Sequence, residues 1–397
     1  MKIVNCKLKI NLYRILYTIY CIQYIELKLI MFKIIKKSEK DRARLGKIST
    51  NHRDFQTPIF MPPGTRGVIK AVGPDDLTKI EIEIILVNTL HLHLEPGEKV
   101  VNDLGGIHRF MGWSGPILSD SGGFQAWSFN KSRARNRQNL AKINENGVEF
   151  FSPIDGSKHL ITPEKSIEIQ HQLGADIIMA FDECSPDDND REYAKKVMQR
   201  THKWAQRSLK KHQELSQFYL AKGKKPPLIF GIIQGGIFED LRKESAKFIT
   251  GLNFDGIALG GETIGYNMPR TLEILDYLQD LLPEDKPRYT MGLGSSAQDI
   301  IEVVKRGVDM FDCVAPTRMA RHGSLYTEQG NIHIANSCFR KDNNPIDKNC
   351  DCYTCQNFSR AYLHYLYSIK ESLYLRLATI HNLRFIIRLI QGIRKQI

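Results

Sequence analysis

Three cysteines, Cys350, Cys352 and Cys355, crowd the stretch "NCDCYTCQN" near the end of the chain. Thiols at this spacing can form a disulfide knot, act as a redox pair or hold a metal. The chain has 8 cysteines in 397 residues, too sparse for a secreted disulfide scaffold. A cytosolic setting follows from that usage, and there a thiol cluster binds metal more often than it forms disulfides. A redox Cys-X-X-Cys opens a helix directly after a strand, and no strand-like run precedes this one. Structural zinc is the better reading, with the appendage too small to hold itself without a staple. Such zinc takes four ligands. The fourth is open between Cys338, His364 in "AYLHYLY" and His381 in "ATIHNLRF".

A second set of residues carries carboxylates. In "SDSGGFQAW", Asp120 and Ser121 close an apolar run. Gly122 and Gly123 let backbone approach a ligand closely, and Phe124 offers a flat face to a base. "FDECSP" places Asp182 and Cys184 in the same way, and "IIQGG" adds Gln234. A carboxylate accepts two donors at once, which suits the N–H and amino edge of guanine, and an amide supplies a donor and an acceptor. "MFDCVAPTRMARHG" sets Asp312 at the end of a run, with Arg318 and Arg321 following. A carboxylate beside arginines suits chemistry on a sugar next to a phosphate. The net charge of +12 and pI of about 9.2 point to a polyanionic partner, nucleic acid before an acidic small molecule.

These residues need elements to position them. From residue 55 onward, short runs rich in Val, Ile and Phe alternate with amphipathic stretches: "TPIFMPPGT", "IEIILVNTLH", "GPILSDSGG", "ADIIMAFDE", "PLIFGIIQGG", "FDGIALGGE", "RYTMGLGSS" and "VDMFDCVAPT". Strands alternating with helices predict a parallel sheet, and about eight such units predict a closed α/β barrel of the (β/α)8 TIM type. Asp120, Asp182, Gln234, Gly260, Gly261, Gly292 and Asp312 all sit where a run ends. In a barrel those ends converge on one face. The charged segment 124–160 reads as an insertion with a small hairpin around "GVEFFSPIDGSKH". Residues 31–323 are assigned to the barrel and 324–397 to a zinc-binding subdomain with C-terminal helices. Residues 1–30 are apolar but interrupted by Lys7, Lys9, Arg14 and Glu26, so no run spans a membrane and no signal-peptide core exists. They read as a disordered extension or a mis-assigned start ahead of Met31.

In "DSGGFQ", "DGSKH", "FDEC", "IIQGG", "FDGIALGG", "PRYTMGLG", "MFDCVAPTR" and "CDCYTC" through "TIHNLRF", the chain resembles the bacterial tRNA-guanine transglycosylases, also called queuine tRNA-ribosyltransferases. The matching stretches run in order from about residue 40 to the C-terminus. The resemblance implies a zinc-containing barrel that exchanges guanine at the tRNA anticodon wobble position for a 7-deazaguanine, without ATP, as a homodimer. It implies that Asp312 is the nucleophile at ribose C1′ and Asp120 the general acid/base. It places the base against Ser121, Phe124, Gln125, Asp182, Cys184, Gln234, Gly260, Gly261 and Met291, and the anticodon loop against Arg318 and Arg321. It makes Cys350, Cys352, Cys355 and His381 the ligands of one structural zinc per chain.

One stretch departs from the family. Bacterial members usually read Leu-Ala-Val-Gly-Glu after the two glycines; this chain reads "ETIGY", Glu262 to Tyr266. A carboxylate at Glu262 could meet the ammonium on the 7-substituent of the incoming base, and Ile264 is bulkier than the usual Val. The expected incoming base is therefore the prequeuosine base, with queuine itself as the alternative. A non-catalytic tRNA-binding subunit is a further alternative, opposed by the presence of both Asp120 and Asp312. An archaeal-type exchanger, which would act elsewhere in tRNA, would carry further C-terminal RNA-binding domains.

Overall fold

The structure is a computed structural model that describes residues 31–125, 141–185, 190–293 and 296–397. The extension 1–30 and the middle of the insertion, 126–140, lie outside the described residues. All eight apolar runs are strands: β1 (Ile59–Met61), β2 (Ile85–Val87), β3 (Ile117–Ser119), β4 (Ile177–Met179), β5 (Leu228–Ile233), β6 (Gly256–Leu259), β7 (Arg288–Thr290) and β8 (Met310–Asp312). They pair in parallel in the order β1-β8-β7-β6-β5-β4-β3-β2. The remaining seam closes just past the end of β1. There the Leu86 N–H donates to the Pro62 carbonyl at 3.2 Å, and the Gly64 N–H to the Leu86 carbonyl at 2.6 Å.

The strands read as continuous apolar runs because both faces are covered. Met61, Leu86, Leu118, Ile177, Met179, Phe230, Ile232, Ala258, Tyr289 and Met310 fill the barrel interior. Their neighbours Phe60, Ile85, Ile117, Ile178, Ile229, Ile257 and Phe311 face the helix layer. The interior is plugged from below by Ile48 and Phe55, from a three-stranded antiparallel sheet of residues Phe32–Lys37, Arg44–Ile48 and Phe55–Thr57.

Two buried carboxylates at the strand starts latch this plug. Asp309, just before β8, accepts from Arg44 Nε at 3.0 Å and from the Arg288 N–H at 2.7 Å. Asp176, just before β4, accepts from His52 at 2.8 Å, His108 at 3.0 Å and the Ile117 N–H at 2.9 Å. Those donors outweigh the burial that would raise the Asp176 carboxyl, and hold it well below the usual aspartate range. Carboxylates satisfied this way belong to the barrel's stability face, opposite the ends that carry the site.

The helix expected over "EYAKKVMQRTHKWAQRSLKKHQEL" spans Arg191–Ala221, capped by Asp190, whose side chain accepts the Tyr193 N–H. The insertion is a three-stranded antiparallel sheet, Ala141–Asn144, Gly147–Phe151 and Lys158–Ile161, one strand more than the expected hairpin. After β8 the chain makes the short helix Ala315–Arg321, passes through the cysteine cluster and returns as the helix Ser372–Gln396. This last helix lies on the barrel flank. Tyr374 donates to the Ala320 carbonyl at 3.0 Å, Asn382 to the Pro316 carbonyl at 3.0 Å, and Arg376, Arg384 and Arg394 pair with Asp76, Glu81 and Glu83. Among the described residues, no helix is long and apolar enough to cross a membrane.

Candidate active site

The strand order brings residues far apart in sequence to one rim. Asp120 follows β3, Asp182 lies three residues past β4, Gln234 follows β5, Gly260 and Gly261 follow β6, Met291 and Gly292 follow β7, and Asp312 ends β8. Asp120 is held from the neighbouring β2 loop. Asn88 caps the helix Thr89–Leu94 with its amide oxygen, which accepts the His91 N–H at 3.0 Å. That bond orients the amide so that its nitrogen donates to Asp120 Oδ2. The backbone N–H groups of Thr89 and Gly122 donate to Asp120 Oδ1 at 2.9 and 3.1 Å. Burial nevertheless dominates and pushes the Asp120 carboxyl up to about 7, with the charge of Asp312 adding to the effect.

Asp312 is arranged differently. Both of its side-chain bonds fall on Oδ1, from the Tyr289 hydroxyl at 2.7 Å and the Gly292 N–H at 3.0 Å. Burial raises its carboxyl, and these donors oppose the rise. Among the described residues nothing donates to Oδ2. Two carboxylates thus share one rim in different surroundings, one poised near neutrality and one held by donors with an oxygen presented. That pattern suits an acid/base paired with a nucleophile.

The pocket beside them is built for a flat polar ligand. Asp182 accepts from Ser121 Oγ at 3.0 Å and from Gln234 Nε2 at 2.8 Å. Burial raises it to about 6 against those donors, with Glu183 next door adding negative charge. Gln234 is fully buried, and among the described residues its Oε1 has no partner. A buried acceptor left over costs about 1–3 kcal/mol, which a ligand donor would recover. Gly123 packs so tightly here that a Cβ would stand 2.3 Å from the Asp182 carbonyl oxygen, so only glycine fits. Phe124 is 45% exposed at the mouth, with Gln125 half-buried beside it. Cys184 is buried, its thiol reaching the Ser185 carbonyl at 3.9 Å. Met291 packs on the barrel interior. Arg318 is exposed on the helix that follows Asp312, and Arg321 is half-buried, donating to the Thr317 carbonyl at 2.8 Å.

The departing loop, Glu262 to Tyr266, packs beside the same pocket. Ile264 is buried in the core, and the Glu262 N–H donates to the Ser185 carbonyl at 3.1 Å, tying this loop to the one bearing Asp182. Tyr266 is 86% exposed and faces solvent.

Cys350, Cys352, Cys355 and His381 converge, all buried, their ligand atoms within 4.8 Å of one another. His381 Nδ1 lies 3.7, 3.6 and 3.3 Å from the three sulfurs in turn. Bonds of about 2.3 Å to sulfur and 2.0–2.1 Å to nitrogen in a tetrahedron give ligand separations of about 3.6 Å, so the donor set fits zinc. His381 Nε2 donates to the Tyr326 carbonyl at 2.7 Å, leaving Nδ1 as the ligand nitrogen. The rejected candidates stand elsewhere: His364 Nδ1 bonds the Ile334 carbonyl at 2.8 Å, and Cys338 is exposed.

The queuine tRNA-ribosyltransferase family pattern matches residues 39–397. The chain belongs to that family. It is therefore an enzyme, a pentosyltransferase of the tRNA-guanine transglycosylase type. The queuine tRNA-ribosyltransferase of Caldanaerobacter subterraneus subsp. tengcongensis is 48% identical over 368 residues, 93% of each chain. That of Halothermothrix orenii is 47% identical over 365 residues, 92% of this chain and 93% of its own. That of Staphylococcus aureus is 47% identical over 368 residues, 93% of this chain and 92% of its own.

Asn88, Thr89 and Tyr289 were not picked out by sequence reasoning. A strand-ending Asn at a helix start is a recognisable cap. A Tyr inside an apolar run carries a hydroxyl that must find a partner when buried. Neither signal names the aspartate it serves.

Proposed function

We propose that this enzyme exchanges the guanine at the anticodon wobble position of tRNA for a 7-deazaguanine by double displacement. The observation that carries the reading is the pair Asp120 and Asp312, unlike in surroundings and near enough for one charge to shift the other. Asp312 Oδ2 attacks ribose C1′ as Asp120 passes its proton to the departing guanine. The RNA is then held as an ester on Asp312. The incoming base gives a proton back to Asp120 and attacks C1′, releasing Asp312. Two displacements retain the configuration at C1′. Asp182 accepts from the ring N–H and amino group of the base, the Gly261 N–H donates to its carbonyl oxygen, Gln234 lines the pocket beside Asp182, and Phe124 stacks on its face. Arg318 and Arg321 contact anticodon phosphates. One structural zinc is held by Cys350, Cys352, Cys355 and His381. The setting is cytoplasmic, and the active form is a homodimer. Exposed Tyr353, Tyr362 and Tyr365 in the C-terminal subdomain support an interface there. Labelled guanine incubated with tRNA should become incorporated; no incorporation under any base supply would sink the reading.

The incoming base is the prequeuosine base. Its 7-aminomethyl group is an ammonium, and a charge-assisted hydrogen bond from Glu262 contributes about 1.5–3 kcal/mol. Tyr266, pointing to solvent, leaves Glu262 as the acidic side chain of this loop. In competition for guanine-labelled tRNA, the prequeuosine base should win over queuine, and Glu262→Gln should narrow the margin. A clear preference for queuine would overturn this choice.

Binding should also depend on pH through Asp182. Its carboxyl, raised to about 6, must be ionised to accept two donors. Base affinity should be level above pH 7 and fall about tenfold per unit below pH 6. Asp182→Asn should bind weakly at every pH, without that slope. Calorimetric titration of the base from pH 5 to 8 checks this, and a flat wild-type profile would remove Asp182 from the role.

A further inference from the structure

Arg242 sits in the first turn of the helix Glu239–Thr250 and is fully buried. Its guanidinium lies beneath the two loops that carry Gln234 and Gly261. Nε donates to the Gly236 carbonyl at 2.8 Å, and one terminal nitrogen donates to the Ile233 carbonyl at 3.1 Å and the Gly260 carbonyl at 2.7 Å. A single planar fork therefore binds the loop after β5 to the loop after β6. Contact is close: a Cβ on Gly261 would lie 2.8 Å from the other terminal nitrogen, and one on Gly235 would lie 2.7 Å from the Arg242 backbone nitrogen.

The Gly260 carbonyl and the Gly261 N–H are opposite ends of one peptide unit. A peptide between two glycines turns easily, and Gly261 already holds a φ of +108°. If it flipped, it would present an oxygen to the pocket in place of a hydrogen. A cation on the carbonyl holds the peptide in one sense and draws electrons from its N–H, making that N–H a stronger donor. Among the described residues nothing accepts the Gly261 N–H. With Asp182 taking the hydrogens of the base, the donor here faces the oxygen on purine carbon 6.

We infer that Arg242 is a positioning residue for base recognition, acting through the Gly260 carbonyl to aim and strengthen the Gly261 N–H toward the 6-oxygen of the bound base. This rests on the proposed reading of the site and adds to it a residue that never touches the ligand.

The test compares binding of guanine and 6-thioguanine to wild type, Arg242→Gln and Arg242→Lys. The thione keeps the ring N–H and amino group but offers a poor acceptor in place of the oxygen. Wild type should prefer guanine. In Arg242→Gln guanine affinity should fall about tenfold or more while 6-thioguanine changes by less than about twofold, so the preference collapses. Arg242→Lys keeps the charge without the fork and should fall between. Equal loss for both bases would mean a role in the scaffold alone and would overturn the inference, as would an unchanged preference. Should Arg242→Gln not fold, the preference measured in Arg242→Lys decides by the same criteria. A wild type that binds neither base would instead sink the base-exchange reading.

Discussion

Asp312→Asn should give a folded, metal-loaded protein that forms no covalent RNA adduct. The amide keeps an oxygen to accept from the Tyr289 hydroxyl and the Gly292 N–H, so the rim has no reason to rearrange. What it loses is an anionic oxygen able to form and later leave an ester. Water cannot take its place without hydrolysing the glycosidic bond instead of exchanging the base. Removing a nucleophile that acts as a unit with its partner costs roughly 10⁴-fold or more in rate. Guanine exchange should drop to background, and denaturing gels of enzyme mixed with tRNA should lose the shifted band. Asp120→Asn is the matched control, because it keeps the nucleophile while removing the proton carrier. An adduct that persists in the Asp312 variant would remove Asp312 from the role.

Cys352→Ser or His381→Ala should release the metal and loosen the C-terminal subdomain. Structural zinc contributes on the order of 10 kcal/mol of apparent binding energy, more than most domains have to spare. The loss should spread beyond the ligands. Tyr326, whose carbonyl accepts from His381, also donates its N–H to the side-chain oxygen of Asn382, whose amide nitrogen in turn donates to the Pro316 carbonyl. Pro316 lies in the helix that carries Arg318 and Arg321. Metal content should fall from about one per chain to near zero, melting should shift down, and light scattering should report dissociation to monomers. His364→Ala should keep its metal, since His364 bonds the Ile334 carbonyl and stands outside the cluster. One metal per chain in His381→Ala would overturn the ligand assignment, and an intact dimer without metal would overturn the link to assembly.

Much of the architecture was legible without coordinates. A buried parallel strand must be apolar on both faces, so β1 to β8 appear as eight apolar runs, and each run ends where a polar or glycine residue turns into a loop. That pattern is local, carried by residues within one element, and it placed Asp120, Asp182, Gln234 and Asp312 on a common rim. The thiol spacing likewise announced a metal site. The fourth ligand was different. Cys338, His364 and His381 are each chemically able to ligate, and residue chemistry alone left all of them open; the family resemblance chose His381. The fold decides among them by bringing the helix Ser372–Gln396 back so that Nδ1 sits 3.3–3.7 Å from the sulfurs. Arg242, Asn88 and Tyr289 left no mark in the sequence that names their partners, Gly260, Asp120 and Asp312. Their roles arise from contacts across neighbouring strands, between residues 18, 32 and 23 positions apart. Periodicity reports which face of an element is buried; only the closed barrel determines which donor that burial leaves beside which acceptor.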